Sequence, residues 1–486
     1  MPAPAVASAT KRPSFLKLYG LLVGAPLLGI ALVLAFGADL GRAPVAEGAA
    51  AAAASAPAAG ASAFSLLQML AQIGVILAVA RLAGWLMGRL GQPQVVGEMA
   101  AGIMLGPSLL GAVAPSLSEA LFPASSLGFL NALSQVGIVL FMFVVGFELD
   151  HGLLRERGHS AVLTSHASIT APFLIGTALA LPLFPWLAGA GVDFAPFALF
   201  LGAAMSVTAF PVLARILRER ALLGTHLGAI AITCAAVDDV TAWCILAGLA
   251  ALIRGSPAGL PVWATVLGSV GFAALSLTVG RRLLGRLLPA FERAGRLTPG
   301  LLATVIFAVL VGAWVTEWLG IHALFGAFVV GLAMPREPAF TRALLDRLED
   351  LLVVLLLPLF FAFTGLRTRF GLIQGGELWL VCGAIVAAAI VGKVGGSMLA
   401  SRLSGLSWRE SGAVGVLMNT RGLVELVFLN VGLELGVLSP TLFAMMVLMA
   451  LTTTVMTTPL LALIWPPASR AAARAAASSD ADGLFR

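Results

Sequence analysis

The sequence predicts an all-α polytopic membrane protein with thirteen transmembrane helices preceded by an N-terminal signal or anchor segment. Three observations predict it. Hydrophobic residues make up 60% of the chain and charged residues 11%, with a mean hydropathy of +1.02, whereas soluble domains carry about 25% charge. Apolar segments near the roughly 20 residues needed to cross a bilayer follow one another through short loops. Arginines alternate between crowded and sparse from loop to loop, as positive-inside topology requires.

Taken in order, residues 1–40 hold Lys11, Arg12 and Lys17 before an apolar run from Leu18 to Phe36. That is a positive n-region and an h-region, and its length suits a cleaved signal peptide and an uncleaved anchor equally. Residues 41–63 are almost wholly Ala, Gly, Pro and Ser and read as a linker without a core. Apolar spans then occupy 64–89, 95–115, 127–149, 160–186, 195–218, 225–252, 261–285, 299–318, 321–335, 350–366, 376–401, 409–435 and 440–465. The spans 321–335 and 350–366 are short, contain Gly or Pro, and are expected to be tilted or broken. Together 64–466 form one membrane domain, followed by a tail at 467–486.

Nineteen loop and tail arginines lie on one side of this arrangement, from Arg89 through Arg215 and Arg281 to Arg486; four, Arg42, Arg254, Arg367 and Arg369, lie on the other. The basic side is the cytoplasmic one, which puts the tail inside and the Ala-rich linker outside. The net charge of +6 is thus topological and does not point to nucleic acid. Cys234, Cys244 and Cys382 sit in apolar runs with neither zinc nor disulfide spacing. The five histidines show no metal-ligand spacing.

Charged side chains at mid-membrane cost about 2.5–3.5 kcal/mol each on insertion scales and persist when paired, hydrated or used. Asp238 and Asp239 lie in AITCAAVDDVTAWCIL, mid-span. Adjacent helical positions diverge by about 100°, so the two face different neighbours and can serve different roles. Two neighbouring anions in low dielectric resist joint ionisation, a property suited to proton coupling. Lys393, in AIVAAAIVGKVGGSMLA, needs a carboxylate partner, and Asp238 or Asp239 are the candidates. GKVGG is not a phosphate loop: Ala387 stands where its first glycine belongs, and no strand precedes it. Arg421 and Glu425 in GVLMNTRGLVELVFLNVG are four apart and can pair on one face. With Asn419 and Thr420 they form a polar cluster at mid-span.

LGAAMSVTAFPVLARIL places Ser206, Thr208 and Pro211 at mid-depth. A proline there frees a carbonyl and can interrupt the helix. Asn419–Gly422 is the expected counterpart in the second half, and an interrupted helix in each half points to a midplane site for a small cation. The span with Thr208 precedes the Asp pair; the span with Arg421 precedes one carrying Thr452, Thr453 and Thr454. The two pairs are offset by an odd number of spans, as inverted repeats require. Glu98, Glu148, Asp150 and Glu317 lie near span ends and read as interfacial.

The motifs QPQVVGEMAAGIMLGPSLLG, LFMFVVGFELD, SVTAFPVLARIL, CAAVDDVTAW, GKVGG and GVLMNTRGLVELVFLNVG, in this order over residues 64–465, resemble the monovalent cation:proton antiporter-2 family. Within it, SVTAFPVLARIL and MNTRGLVEL look most like the branch of plant and fungal cation/proton exchangers and their bacterial relatives. The resemblance implies an inverted-repeat sodium/proton-antiporter fold with two broken crossing helices. It implies exchange of Na+ or K+ for H+ by alternating access, in a homodimer of the bacterial inner membrane, with no cofactor and no metal beyond the monovalent cation. It implies that Asp239 carries cation or proton and that Asp238 pairs with Lys393. Thr208 with its neighbours, and Asn419–Arg421, match the unwound crossing segments. The Asp-Asp pair with a membrane lysine looks like the electrogenic subgroup. Many relatives continue into a cytoplasmic regulatory domain, which the short tail does not provide. The rival readings are a cation channel and a proton-coupled symporter of a small solute. A membrane enzyme is disfavoured because no nucleophile–base set is legible.

Overall fold

The computed structural model describes residues 15–43, 66–148, 158–220, 222, 225–254 and 262–466. Most of the Ala-rich linker, the loop bearing Asp150 and His151, and the 467–486 tail lie outside these residues. Fourteen helical units follow in chain order: α1 Leu16–Leu40, α2 Leu66–Arg89, α3 Gln94–Val113, α4 Leu127–Glu148, α5 Leu163–Leu187, α6 Phe194–Arg218, α7 His226–Ile253, α8 Trp263–Ala294, α9 Pro299–Trp318, α10 Ala323–Ala333, α11 Pro338–Leu372, α12 Gly375–Leu403, α13 Trp408–Met418 with Leu423–Glu434, and α14 Pro440–Ile464. Two isolated bridges, Arg42 with Asp193 and Ala188 with Leu438, are the extended pairings among the described residues.

The helices sort into two bodies. In the first, which we call the panel, α2 packs on α3, α3 and α4 on α11, and α4 and α9 on α10. In the second, the bundle, α5 packs on α6, α7 and α12, α12 on α13 and α14, and α7 on α13. Each body thus takes three consecutive helices from each half of the chain, with α8 between the halves. Counterpart helices lie seven apart in this order, an odd offset that gives the halves opposite orientation in the membrane, as inverted repeats do.

The local chemistry explains the elements. Thr298 and Ser439 cap α9 and α14, and each of these helices opens on a proline. Ser407 and Glu410 form a capping box at the start of α13. The panel is close-packed through small residues. A Cβ at Gly102 would stand 2.1 Å from the Phe361 carbonyl oxygen, and one at Gly331 2.3 Å from that of Phe143. With no hydrophobic drive between helices in lipid, such backbone approach is what holds spans together.

Two elements are longer than their hydropathy suggests. The apolar stretch 350–366 is the second half of α11, whose first half, Pro338–Leu351, is amphipathic and carries Arg342, Asp346, Arg347 and Glu349. Glu337 caps it, and the backbone N–H groups of Ala339 and Phe340 hold the Glu337 carboxyl below its usual range. Likewise α8 runs on through Arg281, Arg286 and Arg293, residues expected in a loop. Charged first or last turns hide from a hydropathy window while remaining helical.

Gly102→Ala should lower the melting temperature of the detergent-solubilised protein, since overpacking costs about 1–3 kcal/mol. Gly128→Ala, where a Cβ meets nothing within 4 Å, should leave it unchanged. Equal melting of both variants would contradict the close-packed panel.

Candidate cation site at the crossing of two broken helices

Helix α6 is interrupted after Ser206 and resumes at Phe210, with Val207, Thr208 and Ala209 extended or irregular between. Helix α13 breaks after Met418 and resumes at Leu423, bent by 45°. The breaks lie against each other: the Ala209 N–H donates to the Thr420 carbonyl at 3.0 Å, and the Thr208 hydroxyl reaches the Met418 carbonyl at 3.1 Å. Gly422 is required where they cross, because a Cβ there would stand 2.6 Å from Val212 Cγ2.

A helix that stops in the membrane leaves four carbonyls without partners. At the end of the first half of α6, all four are met. The Ser206 hydroxyl donates to Ala203 O. The Arg421 guanidinium donates to Ala204 O and Met205 O. The Lys393 ammonium donates to Ser206 O. The negative end of the half-helix is thus faced by two cations, which is the favourable sign of interaction.

Lys393 sits in a π-helical turn, Val391–Gly395, within α12, a local widening common at functional positions. Its three protons are all used: on Ser206 O, on Ser168 O at 3.0 Å and on Asp238 Oδ2 at 2.9 Å. Asp238 is the carboxylate that pairs with the lysine, and it is held from every side. Ser165 Oγ donates to Oδ1 at 2.7 Å; Ser168 Oγ and Thr208 Oγ1 each donate to Oδ2 at 2.8 Å. Arg421 pairs with Glu425 at 2.9 Å, both wholly buried. Thr454 of α14 bonds the Arg421 backbone on both its N–H and carbonyl sides.

Asp239 differs from all of these. It is 0% exposed, and neither carboxylate oxygen has a hydrogen-bond partner. The backbone N–H of Phe210, opening the second half of α6, lies near it. Buried polar groups without partners are rare and require an explanation. Counting formal charges, the cluster holds Asp238, Asp239 and Glu425 against Lys393 and Arg421. It is one positive charge short, and the shortfall falls at Asp239.

A cavity of about 560 Å³ opens between panel and bundle on the arginine-rich side, reaching Phe210 and Pro211 beside Asp239. Glu98, Glu148 and Glu349 of the panel and Arg215 and Arg218 of the bundle line it. Glu98 and Glu148, expected at a membrane interface, therefore face this vestibule. On the opposite side panel and bundle are tied shut. Arg367 of α11 bonds Glu434 at 3.0 Å and Asn430 Oδ1 at 3.4 Å, while Asn430 Nδ2 bonds Thr364 at 2.9 Å.

The structure brings together Asp238, Thr208, Lys393, Arg421 and Glu425 around the α6 break. Ser206 enters through its carbonyl, its hydroxyl being spent on Ala203. Thr420 caps Leu417 O, and Asn419 turns away to Met456. Sequence reasoning missed Ser165 and Ser168; their i, i+3 spacing within HSAVLTSHASIT was the available signal. It also missed the Arg367–Glu434–Asn430 tie. Among the described residues no group of His, Cys, Asp and Glu could hold a metal ion.

Comparisons with known proteins place the chain among relatives of one family. The family model described as sodium/hydrogen exchanger, transmembrane, matches residues 74–464. The Na(+)/H(+) antiporter NhaS4 of Synechocystis sp. is 45% identical over 403 residues, covering 83% of this chain and 98% of that protein. Cation/H(+) antiporter 17 of Arabidopsis thaliana is 41% identical, covering 82% of this chain and 48% of its own length. K(+)/H(+) antiporter 1 of Saccharomyces cerevisiae is 35% identical, covering 82% and 47%. The chain thus spans about half the length of these plant and yeast relatives. The solved sodium proton antiporter MjNhaP1 from Methanocaldococcus jannaschii shares the fold, with a TM-score of 0.57 at 14% identity over 83% of this chain and 97% of that one.

A hydrogen bond to a charged group is worth about 1.5–3 kcal/mol. Ser165→Ala and Ser168→Ala should each slow transport about tenfold or more without loss of folded protein, and the double variant more. Wild-type transport rates in the double variant would remove the two serines from the site.

Proposed function

This chain belongs to the sodium/hydrogen exchanger family, and from its site we propose that it exchanges a monovalent cation, Na+ or K+, for protons. It is a transporter rather than an enzyme. The observation that carries the reading is Asp239, sealed from solvent, without a side-chain hydrogen-bond donor, in a cluster one positive charge short. One proton or one monovalent cation makes good that shortfall. The two compete for the same carboxylate, and competition at a single site is what couples opposite fluxes. Freed carbonyls and hydroxyls at the α6 and α13 breaks are suited to replace part of a cation's hydration shell.

Asp238 plays the complementary part. Held by Lys393 and three hydroxyls, it anchors the lysine over the end of the half-helix. When a cation seats at Asp239, its field opposes Lys393, so the lysine's hold on Asp238 loosens as the site fills. Arg421 and Glu425 hold the α13 break in place and compensate charge.

The vestibule on the arginine-rich side and the polar tie on the other describe one end of an alternating-access cycle, open to the cytoplasm. The bundle carries the site and moves against the panel, which serves as the dimerisation surface of a homodimer. We place the protein in the bacterial inner membrane with its C-terminus inside, following the arginine asymmetry. The sequestered site and the sealed outer face favour a carrier over a channel, which needs a continuous pore.

In everted vesicles, Na+ or K+ should dequench a pH-sensitive dye in the wild type. Asp239→Asn should abolish the signal while the variant still inserts and folds; a full signal in that variant would overturn the assignment. Glu434→Gln weakens the outer tie, so hydrogen–deuterium exchange at the outer ends of α11 and α13 should rise. Unchanged exchange there would show that the tie does not hold the outer face closed.

A further inference from the structure

Helix α1 precedes the region matched by the family model, which starts at residue 74, and nothing above gives it a role. An h-region removed after targeting has no reason to fit the folded protein. This one fits in detail. Leu18, Leu22 and Val23 pack with Leu163 and Ala167 of α5 and Ala400 of α12. The Thr170 hydroxyl lies 3.1 Å from the Leu22 carbonyl oxygen and shares its one proton between it and His166 O at 2.9 Å, and Tyr19 Oη bonds His166 Nδ1 at 3.2 Å with the rings edge to face. Small residues admit close approach: a Cβ at Gly29 would stand 2.8 Å from Leu174, and one at Gly37 1.9 Å from the Phe194 ring.

At its outer end the contact becomes backbone pairing. Ala43 N–H donates to Val192 O at 2.8 Å, Gly191 N–H to Ala43 O at 3.2 Å and Phe194 N–H to Gly41 O at 3.2 Å, with an Arg42–Asp193 ion pair beside them. The opposite face, with Leu21, Leu28, Leu32 and Phe36, is exposed and apolar, as a lipid-facing surface should be. These partners belong to the bundle. Leu163, His166, Ala167, Thr170 and Leu174 lie on α5, the helix whose Ser165 and Ser168 hold Asp238, and His166 stands between those serines in sequence.

We infer that α1 is a retained span that docks permanently on the bundle, travels with it, and positions α5 so that its serines meet Asp238. Tyr19 and His166 are positioning residues in this account. The proposal concerns the N-terminal segment alone and stands apart from the identity of the transported ion.

The test uses the full chain with an N-terminal affinity tag, a C-terminal epitope and a protease site in the 44–63 linker. After cleavage in the membrane and mild solubilisation, capture on the N-terminal tag should recover the C-terminal epitope. Loss of the N-terminal tag from the mature chain, or an α1 fragment that elutes alone, would overturn the proposal. A wedge, Gly29→Trp with Gly37→Trp, should abolish co-elution and raise the KM for the cation about 5-fold, the effect of losing about one hydrogen bond. Tyr19→Phe should raise that KM in the same direction without loss of co-elution. A wedge variant that sheds α1 yet keeps wild-type KM and pH profile would overturn the positioning role.

Discussion

Five ionisable side chains are enclosed at the centre of a bilayer protein, and the architecture follows from having to accommodate them. Leaving even one charge unpaired in low dielectric costs several kcal/mol. Lys393 and Arg421 are therefore met by carboxylates and by the carbonyls of a deliberately unfinished helix. Because α6 stops at Ser206, its last four carbonyls become acceptors in the membrane interior. Because α13 stops at Met418, a second irregular strand of backbone can lie against the first and exchange hydrogen bonds with it. Breaks and charges thus require each other. Remove the cations and the half-helix ends are orphaned; straighten the helices and the cations lose their acceptors.

Beside Asp238 and Lys393, whose polar atoms are all met, Asp239 stands out by contrast rather than by chemistry. It shares a sequence dipeptide with Asp238, yet the 100° turn between adjacent helical positions gives one residue four side-chain donors and the other none. On the proposed reading, the same residue type supplies a structural anchor and an exchange site. The surrounding bodies then determine access. A vestibule approaches the site from one side as far as Phe210 and Pro211, while Arg367, Glu434, Asn430 and Thr364 join panel to bundle on the other. A transport cycle needs the first contact surface to close and the second to open.

Much of this was legible in the sequence, for identifiable reasons. Spans announce themselves by hydropathy, and interrupted helices by Pro211 and by the run Asn419–Gly422. Charges in apolar runs are too costly to be incidental, so Asp238, Asp239, Lys393, Arg421 and Glu425 could be singled out one by one. Which carboxylate the lysine takes is a matter of helix rotation, and spacing alone left it open. Serines within spans are common and usually bond their own helix, so Ser165 and Ser168 gave no signal of comparable strength. Ser206 and Thr208 look alike in sequence; only the backbone geometry sends one hydroxyl to a helix end and the other to Asp238. Amphipathic stretches such as Pro338–Leu351 escape a hydropathy reading, and the division into panel and bundle depends on contacts between distant helices.

The central claim is that proton and cation compete for one carboxylate. The direct measurement is proton release from detergent-purified, weakly buffered protein on addition of Na+ or K+, with choline as control. The account predicts protons released in proportion to cation bound, and none from the Asp239→Asn protein. Cation binding without proton release in the wild type, at a pH where transport runs, would contradict it.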